Sequence, residues 1–217
     1  MMQAILLASA SALTPLPSSL SALSRRAVFV PAAAAVFTAL PVPRASAETT
    51  LEPYTDPRYG VSFGIPTGWA VAPSKELPDG RRLVIATDPK DESNNVFISF
   101  TPIRPDYNTL GSFGTIDFVA NTVLPQCGDL SYACSFAKGD GIDAQMLSKD
   151  TDKKGNYIYD YTIEQRGGPK RHLRSLFTVQ ADGAANIIVG LTAQSLDSGY
   201  KELEPTFKAV LASYKSK

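Results

Sequence analysis

Histidine is nearly absent: one imidazole, His172, serves 217 residues, alongside two cysteines and one tryptophan. A metal site with two histidine ligands cannot be built, nor can a Cys-His protease with a second histidine. A Ser-His-Asp triad needs only one imidazole, yet no Gly-x-Ser-x-Gly elbow is present to hold the serine. Gly111-Ser112-Phe113-Gly114 lacks the lysine and the spacing of a phosphate-binding loop. With these signatures missing, the chain reads as a non-enzyme without a small-molecule substrate.

Residues 1–47 lack aspartate, glutamate and lysine altogether, and their charges are Arg25, Arg26 and Arg44. The twin arginine precedes an apolar run, Ala27 to Leu40, and Ala45-Ser46-Ala47 then offers the small-x-small site of a signal peptidase. That run is shorter than the roughly 20 residues a bilayer span needs and contains Pro31, which disfavours a membrane anchor. Upstream, the Ser- and Ala-rich, acid-free stretch has the composition of an organellar transit peptide. Two stacked import steps suit the thylakoid lumen of a chloroplast, with residues 1–47 removed and 48–217 as the mature domain. Ala4 to Ala12 also reads as a short secretory signal, as in a plastid with extra membranes, and a bacterial export signal is the competing reading.

Removing Arg25, Arg26 and Arg44 from 21 basic residues leaves 18 against 21 acidic ones, a formal charge of minus three. Nucleic-acid binding is not expected of such a chain. The mature segment has no heptads or fixed-period repeats and is long enough for one globular unit without staples.

Short alternating apolar runs separated by Gly, Pro, Asn and Asp predict antiparallel strands. They cover Val61 to Ile65, Trp69 to Val71, Arg82 to Thr87, Val96 to Thr101, Tyr157 to Ile163, Leu173 to Val179 and Ile187 to Leu191. Asp182-Gly183 supplies a hairpin turn. In Tyr157 to Ile163, the residues Tyr157, Tyr159, Tyr161 and Ile163 share one face, and Ile158, Asp160, Thr162 and Glu164 the other. Helical spacing appears twice, at Ile116, Val119, Ala120, Val123 and Leu124, and at Leu203, Phe207, Val210, Leu211 and Tyr214. Pro125 ends the first helix, and Pro205 is expected in the first turn of the second. Strands, helix, strands, helix make an α+β domain, an antiparallel sheet covered by helices.

Several of these segments together resemble the PsbP proteins, lumenal extrinsic subunits of photosystem II, and their PsbP-like relatives. The opening signature is Tyr54-Thr55-Asp56, Tyr59-Gly60-Val61-Ser62-Phe63 and Ile65-Pro66-Thr67-Gly68-Trp69. It is followed in order by Asn95 to Thr101, Leu110-Gly111-Ser112, Tyr157-Ile158-Tyr159-Asp160-Tyr161, Arg171-His172-Leu173 and Pro205 to Tyr214. The resemblance implies an αβα sandwich around a six-stranded antiparallel sheet. It also implies a non-catalytic role at the lumenal face of photosystem II, peripheral to the membrane, in retaining the calcium and chloride of water oxidation. Only Glu48 to Pro53 separate the expected cleavage point from Tyr54, whereas PsbP of green plants carries a longer extension there. That gives weight to an assembly or repair factor for photosystem II, photosystem I or a chloroplast dehydrogenase complex.

The same resemblance implies a site at His172, with Asp197 as its partner, contacting a photosystem subunit or weakly holding a divalent cation such as calcium, manganese or zinc. No tightly bound cofactor is implied. From strand alternation, His172 lies beside Arg174 and opposite Leu173, Phe177 and Val179, pointing away from the most apolar layer. Lys153-Lys154 and Lys170-Arg171 with Arg174 form two basic groups suited to acidic partner surfaces, or to ordinary solvated turns. Cys127 and Cys134 stand in a loop after the first helix, either as a disulfide or as two free thiols, and their spacing disfavours zinc. The acidic loop Asp88 to Asn95 lacks the ligand order of a calcium-binding EF-hand and reads as a solvated hairpin.

Overall fold

The computed structural model describes residues 50–123, 142–165, 167–182 and 185–216. The expected leader, residues 1–47, together with Leu124, Pro125, Cys127, Cys134 and Gly183, lies outside the described residues, and so do the expectations placed on them. The elements in chain order are β1 (Leu51–Thr55), β2 (Ser62–Pro66), β3 (Ala70–Val71), β4 (Lys75–Glu76), β5 (Arg82–Thr87) and β6 (Asn95–Ile103). A short 3-10 turn and α1 (Ile116–Val123) follow, then β7 (Ile142–Thr151), β8 (Tyr157–Gln165), β9 (Arg171–Asp182), β10 (Ala185–Leu196) and α2 (Asp197–Ala212).

The main sheet is antiparallel throughout, in the order β3-β5-β6-β10-β9-β8-β7, with β4 also pairing β5. Its six long strands are the six that the resemblance implies, and the two-residue strands β3 and β4 extend the β5 edge. β1 and β2 form a separate ribbon running from Leu51↔Pro66 to Thr55↔Ser62. β10 is the central strand, buried along most of its length on both faces. Gly190 is needed there because a Cβ would come within 2.9 Å of both the Phe177 ring and Ser99 Oγ.

The helices cover opposite faces, which makes the αβα sandwich. On one face α2 and the β1-β2 ribbon pack against Val84, Ala86, Val96, Ile98, Phe100, Leu176, Val189 and Leu191. On the other, Val119 and Ala120 of α1 pack against Tyr159, Tyr161 and Leu173. Alternation along β8 therefore sorts as its pattern requires, with the tyrosines and Ile163 toward α1, and Ile158 and Asp160 toward α2.

Two expectations are corrected. Pro205 lies inside α2, well past its first turn, because the helix starts at Asp197 and anchors itself early through the buried ring of Tyr200. The Pro205 ring removes the N–H that would reach the Lys201 carbonyl, and both residues are exposed, so water can take that carbonyl. His172 does not point away from the most apolar layer. The strand face it shares with Arg174 also carries Leu176, and that is the face on which α2 closes the larger core.

One ion pair fastens the ribbon to the sheet. Asp56 Oδ1 accepts the backbone N–H groups of Arg58 and Tyr59 at 3.0 and 2.9 Å, and Oδ2 accepts from Arg82 Nη1. The Asp56 side chain is fully buried, and Arg82 spreads over the Phe100 ring at 5.6 Å. A carboxylate sealed from water is tolerated only when its oxygens are all paired, as they are here.

Candidate functional site

Strand register decides which polar groups meet under the first turn of α2. Asp160 of β8 pairs with Arg174 of β9, and Thr162 pairs with His172, so Asp160 lies between the two basic side chains on one face. β10 runs directly into α2, which brings Asp197 and Tyr200 onto the same spot. The His172 ring stacks on Tyr200 with centroids 3.4 Å apart and planes 2° from parallel. Its Nδ1 lies 3.0 Å from Asp197 Oδ1, and its Nε2 meets Asp160 Oδ1.

Asp160 is the hub. Its second oxygen accepts from Arg174 Nη1 at 2.7 Å and from the Tyr200 hydroxyl at 3.2 Å. Burial, and then the negative charge of Asp160, push the Tyr200 hydroxyl above its ordinary range, so it remains a donor at any physiological pH. Lys170 stands at the rim, 3.9 Å from Asp197 Oδ2, too far for a hydrogen bond but close enough to balance charge. The backbone N–H of Asp197 donates to the Lys170 carbonyl at 2.9 Å, which ties the helix start to the strand entrance.

Of the residues singled out from sequence, His172, Asp197, Arg174 and Lys170 thus converge. Only the rims of Lys170 and Asp197 are open, at 41% and 38% exposure, against 12% for the His172 side chain. Arg171 turns to the neighbouring loop, where its Nη1 donates to the Ser93 carbonyl at 3.4 Å. Lys153 and Lys154 are exposed in the β7-β8 turn, whose backbone is held by Asp152 accepting from Lys154 and Asn156. That turn and the Lys170 end lie at opposite ends of β8, a nine-residue strand, hence roughly 30 Å apart. The two basic groups cannot form one patch.

Two carboxylates of the acidic loop, Asp88 and Asp91, serve the loop itself. Asp91 Oδ1 accepts from Ser93 Oγ at 2.6 Å and from its N–H at 3.0 Å, which lowers the Asp91 pKa, and Asp88 Oδ1 accepts from Lys90 N–H. Among the described residues, no group of three His, Cys, Asp or Glu side chains is placed to hold a metal ion. At His172 the two carboxylates approach opposite edges of the ring, so the donor set does not fit a resident cation.

Sequence reasoning missed Asp160 and Tyr200. A signal was available for the first: an aspartate in the middle of an aromatic strand must find partners when that strand is buried. Tyr200 carried one too: it stands three residues before Leu203 and seven before Phe207, in phase with the helical stripe.

The fold and this cluster define a class of protein: an antiparallel αβα sandwich whose lone histidine is built into an ion-pair network beneath its last helix. The PsbP family model matches residues 49–216, and the chain belongs to the PsbP family. PsbP domain-containing protein 3, chloroplastic, of Arabidopsis thaliana is 27% identical over 199 residues, covering 89% of this chain and 77% of that protein. The solution structure of cyanobacterial PsbP from Synechocystis sp. PCC 6803 superposes with a TM-score of 0.58 at 20% identity, covering 78% of this chain and 94% of that one. At that identity the likeness carries the fold.

Proposed function

We propose that the chain is a non-catalytic extrinsic protein of the thylakoid lumen. In this reading it docks peripherally on photosystem II and supports calcium- and chloride-dependent water oxidation. The observation that carries the reading is a PsbP domain over residues 49–216, nearly everything beyond the stretch that carries Arg25-Arg26 and Ala45-Ser46-Ala47. Its likeness to a chloroplastic relative supports the plastid, and the alignment reaches beyond the family domain into the leader, since it covers 89% of the chain. Docking uses charge at the sheet ends, with Lys153 and Lys154 at one end and Lys170 and Arg171 at the other.

A second reading is an assembly or repair factor for photosystem II, photosystem I or a chloroplast dehydrogenase complex. The short stretch Glu48 to Pro53 ahead of Tyr54 favours it. Native-gel separation of solubilised thylakoids, with mass spectrometry of each band, decides between them. Migration with finished photosystem II supports the extrinsic subunit. Migration with intermediates or another complex overturns it in favour of the assembly factor. Release by a salt wash is expected under both readings, and retention through high salt and alkali would sink peripheral docking.

A further inference from the structure

The two nitrogens of His172 are engaged from opposite edges of the ring, by Asp160 of β8 at Nε2 and by Asp197 of α2 at Nδ1. Imidazole lone pairs diverge in the ring plane, so one cation can share the ring with only one of these carboxylates. A cation at Nε2 would meet Asp160, whose other oxygen already serves Arg174 and Tyr200. A cation at Nδ1 would meet Asp197, beside the ammonium of Lys170. Each position brings a like charge close and gathers no third protein ligand, while Tyr200 closes one face of the ring at 3.4 Å.

We propose that His172 is a clasp and not a metal ligand in this chain. Asp160 occupies the ring nitrogen that would otherwise face an ion. Through Asp160 and Asp197 the imidazole joins β8, β9 and the first turn of α2, adding a side-chain tie to the strand pairing, to the Asp197 N–H bond to the Lys170 carbonyl and to the apolar packing of α2. The clasp fixes where α2 starts. It therefore also positions the groove beside that start, which is lined by Asp91, Asn94, Leu196, Gly199, Glu202 and Leu203. The inference stands whichever thylakoid complex the protein serves.

The test has two arms on the full chain. In the first, zinc, manganese and calcium chloride are titrated in turn while the His172 ring is followed by heteronuclear NMR. The expected result is an unmoved ring. A saturable, stoichiometric shift that Asp197→Asn abolishes would overturn the proposal. In the second, His172→Gln is compared with the parent by amide hydrogen exchange. Exchange in residues 197–203 is expected to quicken about tenfold while the β6-β10 amides keep their protection. Unchanged exchange in α2 would equally overturn it. Should His172→Gln fail to fold, Asp197→Asn at the more open rim gives the same readout.

Discussion

Asp56 and Asp160 are both carboxylates on the α2 side of the sheet, and both are held by an arginine, yet they are satisfied in different ways. Asp56 has no solvent exposure and takes two of its bonds from backbone N–H groups two and three residues away. Asp160 is 13% exposed and takes its bonds from the side chains of His172, Arg174 and Tyr200. Backbone donors arrive with the local turn. Side-chain donors arrive only when the elements carrying them have docked. Asp56 is thus tied to local chain geometry, and Asp160 to the seating of α2.

The sharpest way to break the comparison is to remove each carboxylate. Asp56→Ala leaves the Arg82 guanidinium buried and unpaired, and urea unfolding should register a loss of about 3–5 kcal/mol. Asp160→Ala strands three donors nearer to water, and the loss should be smaller, about 2–3 kcal/mol, with hydrogen exchange rising first in α2. Equal losses with identical exchange patterns would erase the distinction between the two carboxylates.

Alkaline titration tests the two layers together. Burial pushes the hydroxyls of Tyr161 and Tyr214 above the ordinary value of 10.0, and burial first among several causes does the same for Tyr159 and Tyr200. Unfolded chains ionise these phenols first, so stability from this source is complete below the ordinary value of 10.0 and is lost as pH rises above it. Phenolate absorbance should lag for these four and then step up with alkaline unfolding. Smooth ionisation of all nine tyrosines in the intact fold would refute their burial.

The smallest expected effect belongs to the exposed turn. Lys153→Glu with Lys154→Glu should change stability by no more than about 0.5 kcal/mol, while shifting the salt concentration that releases the protein from thylakoids. An unchanged release point would remove that end of the sheet from the docking surface.

Much of this was legible in the sequence, where period and burial coincide. β5 was read with both ends correct because Arg82, Val84 and Ala86 alternate with half-buried neighbours. β8 was legible for the same reason. β1 and β7 were not: β1 contains Pro53 and an uneven pattern, and β7 is an edge strand of mostly polar residues with a register shift between Met146 and Ser148. The pairing of His172 with Asp197 was suggested by resemblance, whereas Asp160 needed three-dimensional register to appear. Alternation tells which face a side chain takes but not which helix covers that face, and this is why alternation alone turns His172 away from the most apolar layer.

The central position of β10 has a consequence for the order of assembly. Its partners are β6, about 90 residues upstream in the pairing Ile188↔Thr101 to Gln194↔Asn95, and the adjacent β9. A chain growing from its N-terminus therefore makes β5-β6 and later β7-β8-β9 as two separate half-sheets, each exposing a bare edge. Only the last seventh or so of the polypeptide, β10 and the helix fused to it, zips them into one. Such long-range closure is slow relative to hairpin formation, so release of a chain truncated before β10 should leave two sticky fragments and no partial protein.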